Sequence, residues 1–380
     1  MAATLNIALM PDHSSIELSD SAHAPITLPA LWLRERVVED AAYANTIHQR
    51  LYEHADFPPD LTVEQAQIAD GALDLHFSDG YHAQIPLNVI APELGWAPAP
   101  DDPPDPVGWT ADFDKIPMTN WSALDDPIVM RGFLEDFFRN GFCIMQNTPT
   151  APGSLSRLCR RFGFLRETNF GELFDVISKN DPSDLAYTDE ALASHTDNPY
   201  RKPVPGIQFL HCLQNDVPGG LSTLVDGIAI AEELARENPE QAQILEEVMV
   251  RFRYDGPGAI MESHGPLIQR DHRGIIRQIR LSSRLDWVPV LDSEKLALFF
   301  AARKRLYELS NGPRFKISFP FRPGTLLMMD NYRLLHGRTA YDAGLGMRHL
   351  QGCYIDHDGP DCLYRMNLRD GKSTQIRRDL

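Results

Sequence analysis

Five prolines fall within Ala97-Pro98-Ala99-Pro100-Asp101-Asp102-Pro103-Pro104-Asp105-Pro106. No helix interior or central strand can run through such a segment, because each ring fixes φ and removes a backbone N–H. The 380-residue chain is therefore cut in two: residues 1–95 as a small N-terminal domain, 96–108 as a stiff charged linker, and 109–380 as a larger domain. In the first part Leu5 to Ile16, Gly71 to Phe77 and Tyr81 to Ile85 read as short antiparallel strands, with Asp79-Gly80 as a hairpin turn, in a small α+β unit.

Beyond the linker, apolar runs of strand length recur at Gly141 to Gln146, Gly206 to Leu213, Ile275 to Ser282, Phe315 to Ser318, Leu326 to Asp330 and Met347 to Asp356. Helices are predicted over Ile128 to Asn140 (through Ile128, Phe133, Phe137 and Phe138), Ser154 to Phe162, Ile228 to Val250 with a break at Asn238-Pro239, and Ser293 to Leu309. Many strands with a few helices make a mainly β domain with peripheral helices. A formal charge of −17 argues against a polyanionic partner such as nucleic acid or an anionic membrane surface, so an anionic small molecule would need a local basic pocket. The five scattered cysteines read as free thiols, and neither a secretory leader nor an eighteen-residue apolar run is evident, so a cytoplasmic protein is expected.

The chemistry concentrates in Ser194-His195-Thr196-Asp197-Asn198-Pro199-Tyr200 and Asp330-Asn331-Tyr332-Arg333-Leu334-Leu335-His336-Gly337-Arg338. Two imidazoles and one carboxylate on one face of a metal leave the other positions open, the facial arrangement of non-haem Fe(II) oxygenases. The triplet alone is weak, and His54-Ala55-Asp56 is a second copy that reads as an exposed loop. Around His195 and His336, however, stand strand patterns that would place both at strand ends, and twelve residues past His336 comes Arg348, a natural bidentate partner for a carboxylate. His211, His264, His272 and His349 lack a carboxylate at matching spacing and read as structural.

This order of residues, with Asp184-Leu185-Ala186-Tyr187, Gly206 to Cys212, Gly219-Gly220, Val225-Asp226-Gly227 and Arg348-His349-Leu350-Gln351-Gly352-Cys353-Tyr354, resembles the Fe(II)/2-oxoglutarate dioxygenases of the taurine dioxygenase superfamily, in particular their γ-butyrobetaine hydroxylase and trimethyllysine dioxygenase branch. The resemblance implies a double-stranded β-helix (jelly roll) catalytic domain, a homodimer, and the cofactors Fe(II), 2-oxoglutarate and O2. It implies His195, Asp197 and His336 as metal ligands, Arg348 as the 2-oxoglutarate clamp, and Arg338 and Ser222 beside that cofactor. Relatives hold zinc with cysteines and a histidine in the small domain; Val37 to Tyr43 contains no cysteine, so no zinc is expected and His82 is given a surface role.

In this branch a trimethylammonium group sits in an aromatic cage. The corresponding positions here are Phe170, Phe174, Tyr187 and Tyr354, all aromatic, with Asn198 nearby. At the other end of the substrate, Asp184 replaces a carboxylate-binding asparagine, and Arg280, Ser282 and Arg284 bring new donors. A carboxylate repels an anionic head group whereas guanidinium groups attract one, which points to 2-(trimethylammonio)ethylphosphonate beside γ-butyrobetaine as substrate. A sulfonate oxygenase of the taurine type and a non-catalytic quaternary-ammonium binding protein are the competing readings.

Overall fold

Alternation along single strands decides what this protein can bring together, because successive side chains point to opposite faces. The computed structural model describes residues 5–37, 49–177, 190–256 and 258–376. It divides into two units, Met1–Asp102 and Pro103–Leu380.

The first unit has two three-stranded antiparallel sheets, Asn6–Leu9, Ser15–Ser19, Ile26–Pro29 and Val63–Ala69, Ala72–Phe77, His82–Pro86. Leu73, Leu75 and Phe77 enter its core with Ile16, Leu18 and Leu33. The alternate residues Asp74 and His76 meet His82 from the next strand: His82 Nε2 lies 2.7 Å from Asp74 Oδ1, and the His76 and His82 rings stack at 4.2 Å. His82 thus belongs to a three-residue polar cluster.

Two of the four sheets described in the second unit form its framework. The larger has the order Met118–Asn120, Phe142–Gln146, Leu326–Asp330, Ile207–Asn215, Arg348–Ile355, Phe174–Ile177, with only the first pair parallel. The smaller runs Leu192–His195, Leu334–Arg338, Ser222–Asp226, Lys316–Phe319, antiparallel throughout. Cys212, Leu224, Phe319, Leu327, Leu334 and Leu350 from both sheets share one core. Phe209, Cys353 and Ile355 project from the opposite face of the larger sheet into a second core with Phe133, Phe137 and Phe162. By the same period of two, Gln208 and the series Arg348, Leu350, Gly352, Tyr354 face the inter-sheet side.

Helices cover the outside. Pro127–Asn140 begins at an Asp126 cap that accepts from the Ile128 N–H at 2.8 Å, and it ends at Gly141, φ 80°. Its buried stripe is Met130, Phe133, Leu134 and Phe137, at spacings of three and four, whereas Ile128 is 77% exposed. The sequence-based stripe through Ile128 is therefore displaced by a fraction of a turn.

Gly227–Glu237 and Pro239–Glu247 are separate helices, with Asn238 ending one and capping the next through the Gln241 N–H. The helix predicted to reach Val250 stops at Glu247, because Val250, Phe252 and Tyr254 alternate with Arg251 and Arg253 as a strand, Val250–Gly256, paired to Ala259–Gly265. A C-terminal helix, Asp358–Asp370, packs on the second core through Leu363 and Tyr364. No helix among the described residues is long and apolar enough to cross a membrane.

Candidate metal centre

His195 ends its strand directly opposite His336 on the neighbouring strand, and the two imidazole centroids are 4.4 Å apart. Asp197, two residues on, places Oδ1 at 3.3 Å from His195 Nε2 and 3.6 Å from His336 Nε2. His195 Nδ1 lies 3.0 Å from the Ala193 carbonyl, so Nδ1–H donates there and Nε2 keeps its lone pair for a ligand role.

Burial pushes His336 down to about 4, so its imidazole is neutral at pH 7. Burial raises the Asp197 carboxyl, but His336, His195 and the Tyr354 hydroxyl outweigh it and hold the group well below the usual carboxylate range. Two imidazole nitrogens and one carboxylate oxygen on one side fit a divalent iron with positions to spare.

Asp197 is held on every side. Its backbone N–H donates to Asn331 Oδ1 at 2.7 Å, and Asn331 Nδ2 donates to its carbonyl at 3.1 Å. Its second oxygen, Oδ2, accepts from Tyr354 Oη at 2.6 Å and from Gln208 Nε2. Thr196, between His195 and Asp197, exchanges hydrogen bonds with Leu281: its N–H reaches the Leu281 carbonyl at 2.9 Å, and its Oγ1 accepts from the Leu281 N–H at 3.1 Å. Asn331 and Gln208 are not found from sequence, although Asn331 lies within Asp330 to Arg338 and a polar residue amid the apolar run Ile207 to Cys212 is a signal of its own.

Arg348 is 4% exposed, yet its Nε and Nη1 have no protein partner, and Nη2 is 3.4 Å from the Gly220 carbonyl. Burial, with the charge of Arg338 adding to it, holds the guanidinium down to about 10, still cationic at pH 7. Buried donors without acceptors are costly, and a ligand carboxylate would satisfy both. Gly220, at φ 58°, makes room: a Cβ there would stand 3.1 Å from Arg348 Nε. Arg338 donates to the Glu190 carbonyl at 2.8 Å and is the register partner of buried Ser222. Both guanidinium groups lie over Tyr341, at 5.0 Å for Arg338 and 5.4 Å for Arg348.

The aromatic candidates separate. Phe174 stacks on Tyr354 at 5.3 Å and 28°. Half-buried Phe170 instead meets Tyr254 edge-on at 6.3 Å, and Tyr254 leans on Tyr200 at 5.0 Å. Tyr254 escapes the sequence reading because its strand does. Asn198, at φ 51°, accepts from Tyr200 Oη at 2.6 Å, while its buried Nδ2 has no partner. Asp184 and Tyr187 lie outside the described residues.

Arg280 is half-buried against neutral oxygens, Gln278 Oε1 at 3.1 Å and the His264 carbonyl at 3.4 Å; Ser282 is buried and Arg284 exposed. His211 is fully buried on Thr148, and His349 pairs with Asp175 at 2.7 Å.

The profile of the family described as "Taurine catabolism dioxygenase TauD, TfdA family" matches residues 101–354. The chain is 36% identical over 334 residues to the gamma-butyrobetaine dioxygenase of Pseudomonas sp. (strain AK-1), covering 86% of this chain and 87% of that protein. It is 26% identical over 386 residues to the trimethyllysine dioxygenase of Meyerozyma guilliermondii, covering 94% and 93%. Among solved structures, a taurine dioxygenase from Burkholderia xenovorans superposes with a TM-score of 0.50 at 15% identity, over 67% of this chain and 94% of that one, a likeness of fold.

Proposed function

The chain belongs to the TauD, TfdA family of dioxygenases, and on that premise we propose that it is an Fe(II)- and 2-oxoglutarate-dependent hydroxylase of a small trimethylammonium zwitterion. Its scaffold would be a double-stranded β-helix within residues 109–380. The observation that carries the reading is Arg348: a buried cation with two unpartnered N–H groups, on the inter-sheet face that also bears Tyr354, the residue bonded to Asp197. In this reading His195, Asp197 and His336 hold the iron, Arg348 receives the far carboxylate of 2-oxoglutarate, and Arg338 and Ser222 line the same end. Bound iron and 2-oxoglutarate supply the activation of O2. In balance, one oxygen atom enters a substrate C–H bond and the other enters succinate as CO2 leaves.

The relatives' names, gamma-butyrobetaine and trimethyllysine dioxygenase, both denote enzymes of trimethylammonium compounds. Phe174 and Tyr354 offer stacked ring faces of the kind that attract such a cation, which cannot donate hydrogen bonds. Phe170, Tyr187 and Asp184 are assigned to the same reading. For the anionic end, Arg280 is the supporting residue. It flanks Leu281, which is bonded to Thr196 between the metal ligands, and its hydrogen-bond partners are neutral oxygens, so the charge is available. Ser282 and Arg284 follow on the same segment, and Asn198 Nδ2 adds a donor. Such a site favours a phosphonate over a carboxylate.

The test is a side-by-side screen of quaternary-ammonium carboxylates, phosphonates and sulfonates, following succinate and hydroxylated product by mass spectrometry. We expect 2-(trimethylammonio)ethylphosphonate to exceed γ-butyrobetaine. Best turnover of γ-butyrobetaine would remove the role given to Arg280 and Arg284. Preference for primary-amine sulfonates would end the trimethylammonium reading. Quaternary-ammonium binding without succinate would make the chain a binding protein.

A further inference from the structure

We propose that Tyr354, together with Gln208, is a positioning residue for the metal-binding carboxylate, and that its single side chain joins the aromatic floor of the substrate pocket to Asp197. The inference deepens the function proposed above and rests on it for the word substrate.

Gln208 and Tyr354 are direct cross-strand partners in the larger sheet, so their side chains emerge side by side on one face. Both reach the same atom. Tyr354 Oη donates to Asp197 Oδ2 at 2.6 Å, Gln208 Nε2 donates to that oxygen as well, and Gln208 Nε2 lies 3.4 Å from Tyr354 Oη. The other oxygen, Oδ1, is left to the two imidazoles.

The division of labour has a coordination consequence. A carboxylate with both oxygens free can chelate an ion and fill two of its positions, whereas one whose second oxygen is saturated by two donors binds through one. Asn331 already fixes the Asp197 backbone, which leaves side-chain rotation as the remaining freedom, and the Tyr354–Gln208 pair removes it.

The ring of Tyr354 has a second duty. Phe174 is the register partner of Gly352, and its ring lies across that glycine, where a Cβ would come within 2.3 Å of Phe174 Cζ. Gly352 and Tyr354 share a face, so the Phe174 ring covers the first and stacks on the second. A cation settling on this pair presses on the residue that orients the iron ligand. Coupling of this kind is reciprocal: metal binding and cation binding should each strengthen the other through Tyr354.

The test separates the two duties. Tyr354→Phe keeps the ring and removes the donor; Gln208→Leu removes the second donor; Phe174→Leu removes the stack and leaves both donors. Co(II) is titrated into the apo full-length chain, with the visible absorption of the bound ion recorded, and γ-butyrobetaine binding is measured with and without Co(II). We expect Tyr354→Phe to weaken Co(II) binding about 10- to 100-fold and to alter its spectrum, with Gln208→Leu moving both in the same direction. Tyr354→Phe should abolish the mutual strengthening of Co(II) and γ-butyrobetaine, whereas Gln208→Leu, which keeps the Tyr354 bond to Asp197, should retain it. Phe174→Leu should weaken γ-butyrobetaine alone.

Co(II) affinity and spectrum in Tyr354→Phe equal to those of the unaltered protein would overturn the proposal and leave Tyr354 a pocket wall. Should Tyr354→Phe lose its circular dichroism, Gln208→Leu decides instead, and unchanged Co(II) affinity and spectrum there overturn the proposal equally. Because the Co(II) titration needs no turnover, an unaltered protein that makes no succinate but shows the Tyr354 dependence sinks only the functional reading.

Discussion

Asn331 grips the backbone of Asp197 from both directions, accepting from its N–H at 2.7 Å and donating to its carbonyl at 3.1 Å, and the same amide nitrogen donates to the Pro205 carbonyl at 2.9 Å. The residue is fully buried, so water cannot replace these bonds. Arg333 secures the turn that carries it, through a buried pair with Asp226 at 2.7 Å and through the carbonyls of Val107 and Arg139. Asn331→Ala would strand three backbone groups in the interior. We expect a loss of about 2–4 kcal/mol in urea unfolding together with weaker metal binding; a loss below about 0.5 kcal/mol would show that the site relaxes around the gap.

The proposed metal ligands and the proposed clamp should fail in different ways. His195→Ala or His336→Ala takes one of three protein bonds from the ion, so both Fe(II) binding and succinate formation should vanish while the unfolding transition persists. Arg348→Leu should bind Fe(II) normally but raise the KM for 2-oxoglutarate at least about 30-fold, since truncating one partner of a buried charged pair costs roughly 2 kcal/mol or more. An unchanged KM would transfer the clamp to Arg338, its neighbour over Tyr341.

What a strand alone determines is legible in the amino-acid sequence. Arg348 and Tyr354 are six apart in one extended run, so their common face follows from a period of two. His195 and Asp197 are local in the chain, and their chemistry shows in the residue types. Register between distant strands does not show. Nothing in either segment says that Gln208 will face Tyr354, 146 residues away, because pairing depends on which strands become neighbours. Tyr354 therefore reads as an aromatic wall, and its hydroxyl bond to Asp197 is visible only in the fold. The same limit hides Tyr254: a helical reading of Ile228 onward absorbs Val250, and with it the start of the hairpin that delivers Tyr254 to Phe170.

A buried histidine outside the metal centre predicts acid sensitivity. His211 is fully buried; Thr148 Oγ1 donates to the Gly324 carbonyl at 2.8 Å and accepts from His211 Nε2–H at 2.9 Å, and Nδ1 has no partner. Burial lowers its pKa to about 4 from the ordinary value of 6.5. The unfolded chain therefore binds a proton on this residue between pH 6.5 and 4 that the folded protein does not, so folding stability falls as pH drops through that window. The contribution is at most about 3 kcal/mol. In urea unfolding, His211→Gln should show a smaller loss between about pH 7 and pH 5 than the unaltered protein, and equal pH slopes would mean that the ring is protonated in the folded state.

Gly352 offers the cleanest probe of the aromatic floor, because it alters no group that touches the metal ligands. A Cβ at this position would lie 2.3 Å from Phe174 Cζ and 2.5 Å from Cε2, far inside contact distance, so the Phe174 ring must move in Gly352→Ala. The ring sits on an edge strand, Phe174–Ile177, and is half-buried, so it can swing away without opening the core, and the stack on Tyr354 is lost. The Tyr354 and Gln208 bonds to Asp197 lie on the far side of that stack and should persist. Gly352→Ala should therefore bind Co(II) and 2-oxoglutarate as the unaltered protein does, while the KM for a trimethylammonium substrate rises by about 5- to 30-fold, the loss of a desolvated ring face worth roughly 1–2 kcal/mol. Removing the methyl groups from the substrate should reveal whether the ring or mere bulk is at work. In the unaltered protein each methyl lost should lower affinity, and in Gly352→Ala the series should flatten. An equally steep series in Gly352→Ala would place the ammonium group elsewhere, against the Phe170, Tyr254 and Tyr200 cluster.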